Sequence, residues 1–402
     1  MPYQTASNVE VLIAQQAGRG TLASTGGTSY YLPINPGSGL TLSKAKIDSN
    51  AIRRDGQRAI HRHGSKSGAG SYEMDLGIQH PNMLVQAAMR GVWGTVAAFG
   101  TNGTIAGTAS NGVFTFGSGD PIALGLREGM VVRLTGLTGS GTANNSKNLR
   151  VSAVTTTSFT TPDTIVNFGP GQDTIVTTVG RFVLNGTTER YFTLEEREGD
   201  IDSSQVFSDC KVGSIGLQIQ PDQMVKLTAN LMGRTAGTYT GTLSPYFTVG
   251  TAFTGLGIVA SDITLRLNGT DIADLTGVNM TIEPGAQGQP VVGSNTQADI
   301  FTGLVKVSGQ LTGIRSDFAK LNNFIAEDTI SLHVLMVEFE SEPKSFHSLY
   351  IGQLKLDTNG KSFAQQGPLI ETIDFAAGID QRGTAAGVAA TTVLWQSDGT
   401  TP

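Results

Sequence analysis

Hydrophobic and polar positions alternate along most of this chain at the two-residue period of half-buried strands. Val9, Val11 and Ile13 alternate in this way, Gly18-Arg19-Gly20 interrupts them, and Tyr30-Tyr31-Leu32-Pro33-Ile34 follows, so residues 1–35 read as an N-terminal arm. Strand signals return at 40–47, 71–76, 129–136, 149–154, 191–197, 211–220 and 224–232, and a last series falls at 331–340, 348–356 and 369–375. Two stretches switch to helical spacing. Residues 81–92 begin with a proline, which is tolerated at the first helical position, and put Leu84, Ala87 and Ala88 on one face. Residues 316–326 offer Ser316 as N-cap and Phe318, Leu321, Phe324 and Ile325 as an apolar face.

The second half of the pattern replays the first. Residues 39–76 run from Gly39-Leu40-Thr41-Leu42 through a polar stretch to Gly70-Ser71-Tyr72-Glu73-Met74-Asp75-Leu76; residues 277–314 run from Gly277-Val278-Asn279-Met280-Thr281-Ile282 to Val307-Ser308-Gly309-Gln310-Leu311-Thr312-Gly313-Ile314. Each copy is followed by one of the two helices and then by more strands. Residues 36–93 with 181–240 form a first unit, 250–378 a second, and 379–402 a small, polar tail held at Val393-Leu394-Trp395. Residues 94–180 differ in texture: four acidic and four basic residues balance, so the net charge of −6 sits elsewhere. They read as a small β-module inserted in one copy, an exterior addition that assembly does not need. The predicted class is mainly β, two tandem sandwich or barrel units each with a flanking helix.

Composition fits this reading. Glycine is 52 of 402 residues, about 13% against a usual 7%, and charged residues are 15% against roughly 25%. Short strands joined by Gly, Ser, Thr and Asn turns have this composition. No long basic run offsets the acidic balance, which disfavours a protein that grips nucleic acid by its phosphates. The single cysteine, Cys210, excludes an internal disulfide framework and reads as a half-buried structural thiol. The N-terminus has no signal-peptide pattern, and no apolar run is long enough to span a bilayer.

Candidate chemistry is sparse. His61, His63 and His80 lack a carboxylate or cysteine at ligand spacing, so no metal and no cofactor is expected. Gly360-Lys361-Ser362 echoes the end of a phosphate loop, but Lys355 stands where the motif needs glycine; it reads as a hairpin turn. Glu195, Glu196, Glu198, Asp200 and Asp202 cluster at a strand end and exposed loop, without the spacing of a calcium site. No arrangement of nucleophile and base is recognisable, so the protein is expected not to be an enzyme. The most basic stretch, 49–68, is too polar for a core strand and contains the turn signal Asp55-Gly56. It reads as a long hairpin or arm whose Arg53, Arg54, Arg58, Arg62 and Lys66 contact the acidic cluster of a neighbouring ring or subunit.

These stretches together resemble the tail-tube (major tail) proteins of long, non-contractile phage tails, in duplicated form. The similarity is carried by Leu40-Thr41-Leu42, the stretch from Ile52 to Arg58, Ser71-Tyr72-Glu73-Met74, the helix ending Met89-Arg90-Gly91-Val92-Trp93, Tyr191-Phe192-Thr193-Leu194-Glu195, Phe207-Ser208-Asp209-Cys210-Lys211-Val212, Val292-Gly293-Ser294 and Gly303-Leu304-Val305-Lys306-Val307-Ser308-Gly309. It covers roughly 36–93 and 181–376. The resemblance implies a virion protein whose units join strands across subunits into one barrel, six units to a ring. Two units per chain make that ring a homotrimer with pseudo-sixfold symmetry; a homohexamer is the alternative. Rings would stack into a tube, meet tape-measure, tail-terminator and distal-tail proteins, and pass double-stranded DNA without binding it, a negative lumen repelling phosphates. The competing reading is a receptor- or carbohydrate-binding tail component, which aromatics at only 7% disfavour. No membrane partner is expected.

Overall fold

The computed structural model describes residues 3–79, 82–94, 98–99, 106–108, 112–116, 119–123, 125–168, 175–178, 180–252, 256–338, 343–363, 365–382 and 388–399. Its architecture is mainly β and antiparallel. Twelve of the eighteen strands in its largest sheet, with two helices, form the frame of the body. In the first half these are β1 (Val9–Gln15), β2 (Gly39–Ile47), β3 (Arg62–Asp75), α1 (Asn82–Met89), β4 (Phe192–Glu198), β5 (Ser203–Ile219) and β6 (Lys226–Gly233). In the second they are β7 (Ile263–Leu267), β8 (Leu275–Glu283), β9 (Lys306–Ile314), α2 (Ala319–Ile325), β10 (Ile330–Val337), β11 (Phe346–Leu356) and β12 (Ile370–Ala377).

The pairing order of the first six strands is repeated by the second six. In the first half the order is β1-β4-β5-β6-β3-β2. In the second it is β7-β10-β11-β12-β9-β8. Each strand therefore has a counterpart six places later, and each helix sits in the same place in the chain order.

Alternation sets which way each strand faces. On β6, Leu227, Ala229 and Leu231 are buried while Lys226, Thr228 and Asn230 are not; on β8, Val278, Met280 and Ile282 are buried and Asn279 and Thr281 exposed. The buried residues of both halves merge into one apolar core with α1 inside it. Cys210 lies in that core and is fully rather than half buried.

The described residues of 94–180 build two small four-stranded sheets around their own core, in which Phe114 and Phe159 stack at 4.7 Å between ring centres. The two ends of this module lie side by side, since the Gly94 N–H donates to the Phe182 carbonyl at 2.7 Å. Neighbouring ends make an insertion cheap in loop entropy. The module is seated on the second half of the chain. Tyr350 and Leu394 complete its core, the Gln396 side chain makes two 2.8 Å bonds to the Val131 backbone, and Arg150 reaches Asp271 at 3.0 Å. At Gly129, φ is +86° and an added Cβ would stand 2.1 Å from the Tyr350 ring, so both conformation and contact require glycine.

Several local expectations need correction. The first helix spans Asn82–Met89, not 81–92, because Arg90 takes φ of 53° and ends it; His80 and Pro81 lie outside the described residues. Ser316 does not cap α2: its hydroxyl donates to Asp274, and the Asp317 carboxylate accepts the Ala319 N–H instead. Phe318 and Ile325 of its expected apolar face are exposed. Gly360–Ser362 is no turn but a short edge strand continuing β11 along β12. Within the expected tail, Leu394–Ser397 is a strand bridging β11 to Arg181–Leu184, with Trp395 fully buried. The expected N-terminal arm contributes β1, paired along its whole length with β4.

Candidate assembly interface

Among the twelve body strands, one pair joins the two halves directly. On β5, Ile215, Leu217 and Ile219 stand opposite Ile282, Met280 and Val278 of β8, all buried. This pairing makes a continuous eight-stranded sheet, β2-β3-β6-β5-β8-β9-β12-β11. Among the described residues, β2 and the end of β11 have no partner on one side. The β2 strand pairs with β3 alone among the described residues. At the other end, among the described residues, β11 from Lys355 and the strand Gly360–Ser362 pair only with β12. Those open edges are the counterparts of β8 and of the upper part of β5, the two strands that meet inside the chain.

The helices repeat this contrast. All eight residues of α1 are buried, packed against β5 and also against β8, the first sheet strand of the other half. On α2 only Lys320 is buried, held by Glu371 at 2.9 Å and Asp274 at 3.0 Å. Phe318 is 64% and Ile325 69% exposed.

The sheet's second face is polar across both halves. One row runs Asp75, Lys226, Gln218, Asn279, Gln310 and Asp374 along successive strands. Side chains on this face bond to each other: Lys226 to Glu73 at 2.8 Å, Asn230 to Ser214 at 2.7 Å, and Gln310 to Asp374 at 2.7 Å. Carboxylates of Glu73, Asp75, Glu283 and Asp374 are nearly balanced there by Lys226, Lys306 and Lys355.

The sequence-predicted basic residues lie on one hairpin. The β2–β3 connection, 48–61, is exposed except at Asp48 and Ala59, with Ile52 and Ile60 in the open. Arg53 pairs with Asp55 and Arg58 with Asp48, both at 2.8 Å. Arg54 is exposed in the same loop, and Arg62 opens β3. Lys66 lies within β3, where its backbone N–H donates to Asn295 at 2.8 Å. The nearby His61 and His63 rings meet edge to face, and no group of three or more potential metal ligands occurs among the described residues.

The acidic residues do not form one exposed surface. Glu195 is fully buried, accepting hydrogen bonds from Ser204 Oγ at 2.5 Å and from the backbone N–H groups of Tyr246 and Phe247 at 2.7 and 2.8 Å. Glu196 accepts from the Leu40 N–H and the Tyr72 hydroxyl. Burial and the Glu196 charge push the Tyr72 hydroxyl far up in pKa. Asp200 accepts from Thr5 and Asn8, and those bonds hold its carboxyl below the usual range. Only Glu198 and Asp202 remain exposed. The expected exposed cluster is corrected to two surface carboxylates, because the other three bind groups distant in sequence.

Sequence reasoning missed a second arm. The β8–β9 connection, 284–305, is the counterpart of 48–61, and it lies across the first half. The Gly303 carbonyl accepts from Arg90 at 2.9 Å, and Asp299 accepts from Tyr191 at 3.0 Å and pairs with Arg19 at 3.4 Å. Arg90 is also paired with Glu189 at 2.6 Å. Burial acts to raise the Glu189 pKa, but bonds from Lys211 and Thr302 hold it below the usual range. Arg90 directly after α1 and Glu327 two residues past α2 both take left-handed backbones, φ 53° and 55°, and so occupy matching places.

The model of the phage tail tube protein family matches residues 6–377. A search of curated proteins finds no match. No helix among the described residues is long and apolar enough to cross a membrane.

Proposed function

The chain belongs to the phage tail tube protein family, and on that premise we propose that three copies close into a ring and that rings stack into the tube through which the genome leaves. Each chain supplies two tube units, six to a layer. Three chains of eight strands make a 24-stranded barrel, each chain's β2 edge pairing with the next chain's β11 edge. The observation that carries this reading is the β5–β8 pair, a join between like units already made within the chain. Closure removes exposed strand edges, which otherwise recruit unwanted partners. Head-to-tail contacts close when their rotation divides the circle.

The polar face lines the bore in this arrangement. It presents mostly amides and hydroxyls with nearly balanced charge, not a negative field. Without a basic stripe there is little phosphate neutralisation to bind DNA, and the duplex slides past. Tape-measure, terminator and distal-tail proteins would meet the same bore and the ring faces, in a long non-contractile tail. Electron cryo-microscopy of the assembled protein tests the stoichiometry. Three chains per layer with pseudo-sixfold density are expected; six chains per layer, or a chain that stays monomeric at high concentration, would overturn it.

A further inference from the structure

We propose that the arm 48–61 seats sideways within the ring, across the end of α2 in the neighbouring chain, with Arg53, Arg54 and Arg58 against Glu327 and Asp328. This rests on the ring reading above. Inside the chain the counterpart arm shows the mode of docking. Residues 295–303 lie across the first half, touching β3 at Lys66, the end of α1 at Arg90, and Arg19 beyond β1. If like units join alike, 48–61 must cross the matching places on the second half of the next chain.

The charges of both partners are inverted together. Residues 284–305 carry a single charge, Asp299, and their seat offers Arg19, Arg90 and Lys211 against the one acid Glu189, a net basic surface. The arm 48–61 carries Arg53, Arg54 and Arg58 against Asp48 and Asp55. In its proposed seat, the place of Arg90 is taken by Glu327. Both residues follow their helix and both have left-handed backbones, φ 53° and 55°. Asp328 comes next, and both acids are exposed, the Glu327 carboxylate 3.8 Å from Lys355. Arg53, Arg54 and Arg58 would be repelled by the basic seat inside their own chain, so the inversion directs each arm to one partner. Apolar groups match as well: Ile52 and Ile60 are exposed on the arm, and so are Ile325 on α2 and Phe318 just before it.

Charge exchange tests the seat. Variants E327K/D328K and R53E/R54E/R58E are made separately and combined, and assembly is followed by sedimentation and electron microscopy. All changed groups are exposed, so thermal unfolding of the free subunit should be unchanged and confirms folding. Each variant alone is expected to raise the concentration needed for ring formation roughly tenfold or more, and the combination to restore it to near the starting value. A combination that fails to recover assembly would overturn the seat. So would an arm variant that forms rings unable to stack, which would place the arm between layers. Normal assembly by every variant overturns the seat and leaves the ring reading standing; a parent chain that never forms rings overturns both.

Discussion

Within the chain β5 and β8 close on each other with α1 packed beneath; at its two ends the counterparts of these elements stand open. The helices register the difference in their residues. Asn82–Met89 is NMLVQAAM, small and apolar enough to be covered on every side, while Ala319–Ile325 is AKLNNFI, with a charged lysine inside and apolar Ile325 outside. A buried apolar side chain contributes about 1.5–3 kcal/mol, so Phe318, Ile325, Ile52 and Ile60 hold back stabilisation that the free subunit does not collect. In the proposed ring the inner join thus belongs to folding and the outer one to assembly.

Removing the module puts the inner join under the greatest strain. If residues 95–179 are replaced by a short Gly-Ser linker, Tyr350, Leu394 and Phe346 lose cover. We expect a loss on the order of 5 kcal/mol in urea unfolding, partly recovered by Tyr350→Thr and Leu394→Thr. Unchanged stability would mean that the module is not seated as described. Loss of β5–β8 protection on removal would mean that the module, and not strand pairing, holds the halves together.

Matched substitutions on the two helices sharpen the contrast. Leu84→Ala on α1 should destabilise the isolated subunit by about 2–5 kcal/mol. Phe318→Ala on α2 should change it by no more than about 0.5 kcal/mol while weakening assembly. Equal effects on subunit stability would erase the distinction between inner and outer joins.

Acid acts on the second half through buried His333, which bonds Ser348 at 2.8 Å. Burial, with the nearby charges of Arg150 and Arg266, pushes its pKa down to about 3. The unfolded chain takes up that proton near pH 6.5, so the folded state loses stability as pH falls from there toward 3. The slope is at most about 1.4 kcal/mol per pH unit. Replacing His333 with Gln should flatten stability between pH 6.5 and 4.5; an unaltered slope would exclude this residue as the source.

The smallest effects belong to the arm. Arg54→Ala alone should alter neither subunit stability nor tube yield measurably, because single exposed charges contribute about 0–1 kcal/mol.

Strands with one buried face were legible because alternation reports burial, as at Val278, Met280 and Ile282. The strand Gly360–Ser362 was not, since all three residues are exposed in the single chain and leave no alternation to read. Glu195 was misjudged for a different reason. Its partners at Ser204, Tyr246 and Phe247 come from other strands and loops, and nothing local distinguishes a buried, satisfied carboxylate from a surface one. The Ser316 cap failed because Asp274, more than forty residues away, takes its hydroxyl. The repeated hairpins were visible as sequence, but the second arm was overlooked because 284–305 has almost no charge to draw attention.

Hydrogen exchange compared between free subunits and assembled tubes tests most directly whether the inner join is the template for the outer one. Amides of 215–219 and 278–282 should be protected in both states. The amides of 39–47 and 355–362 that point away from β3 and β12 should exchange quickly in the subunit and become protected only in the tube. Edges that exchange equally fast in both states would show that tubes are not built by pairing these strands.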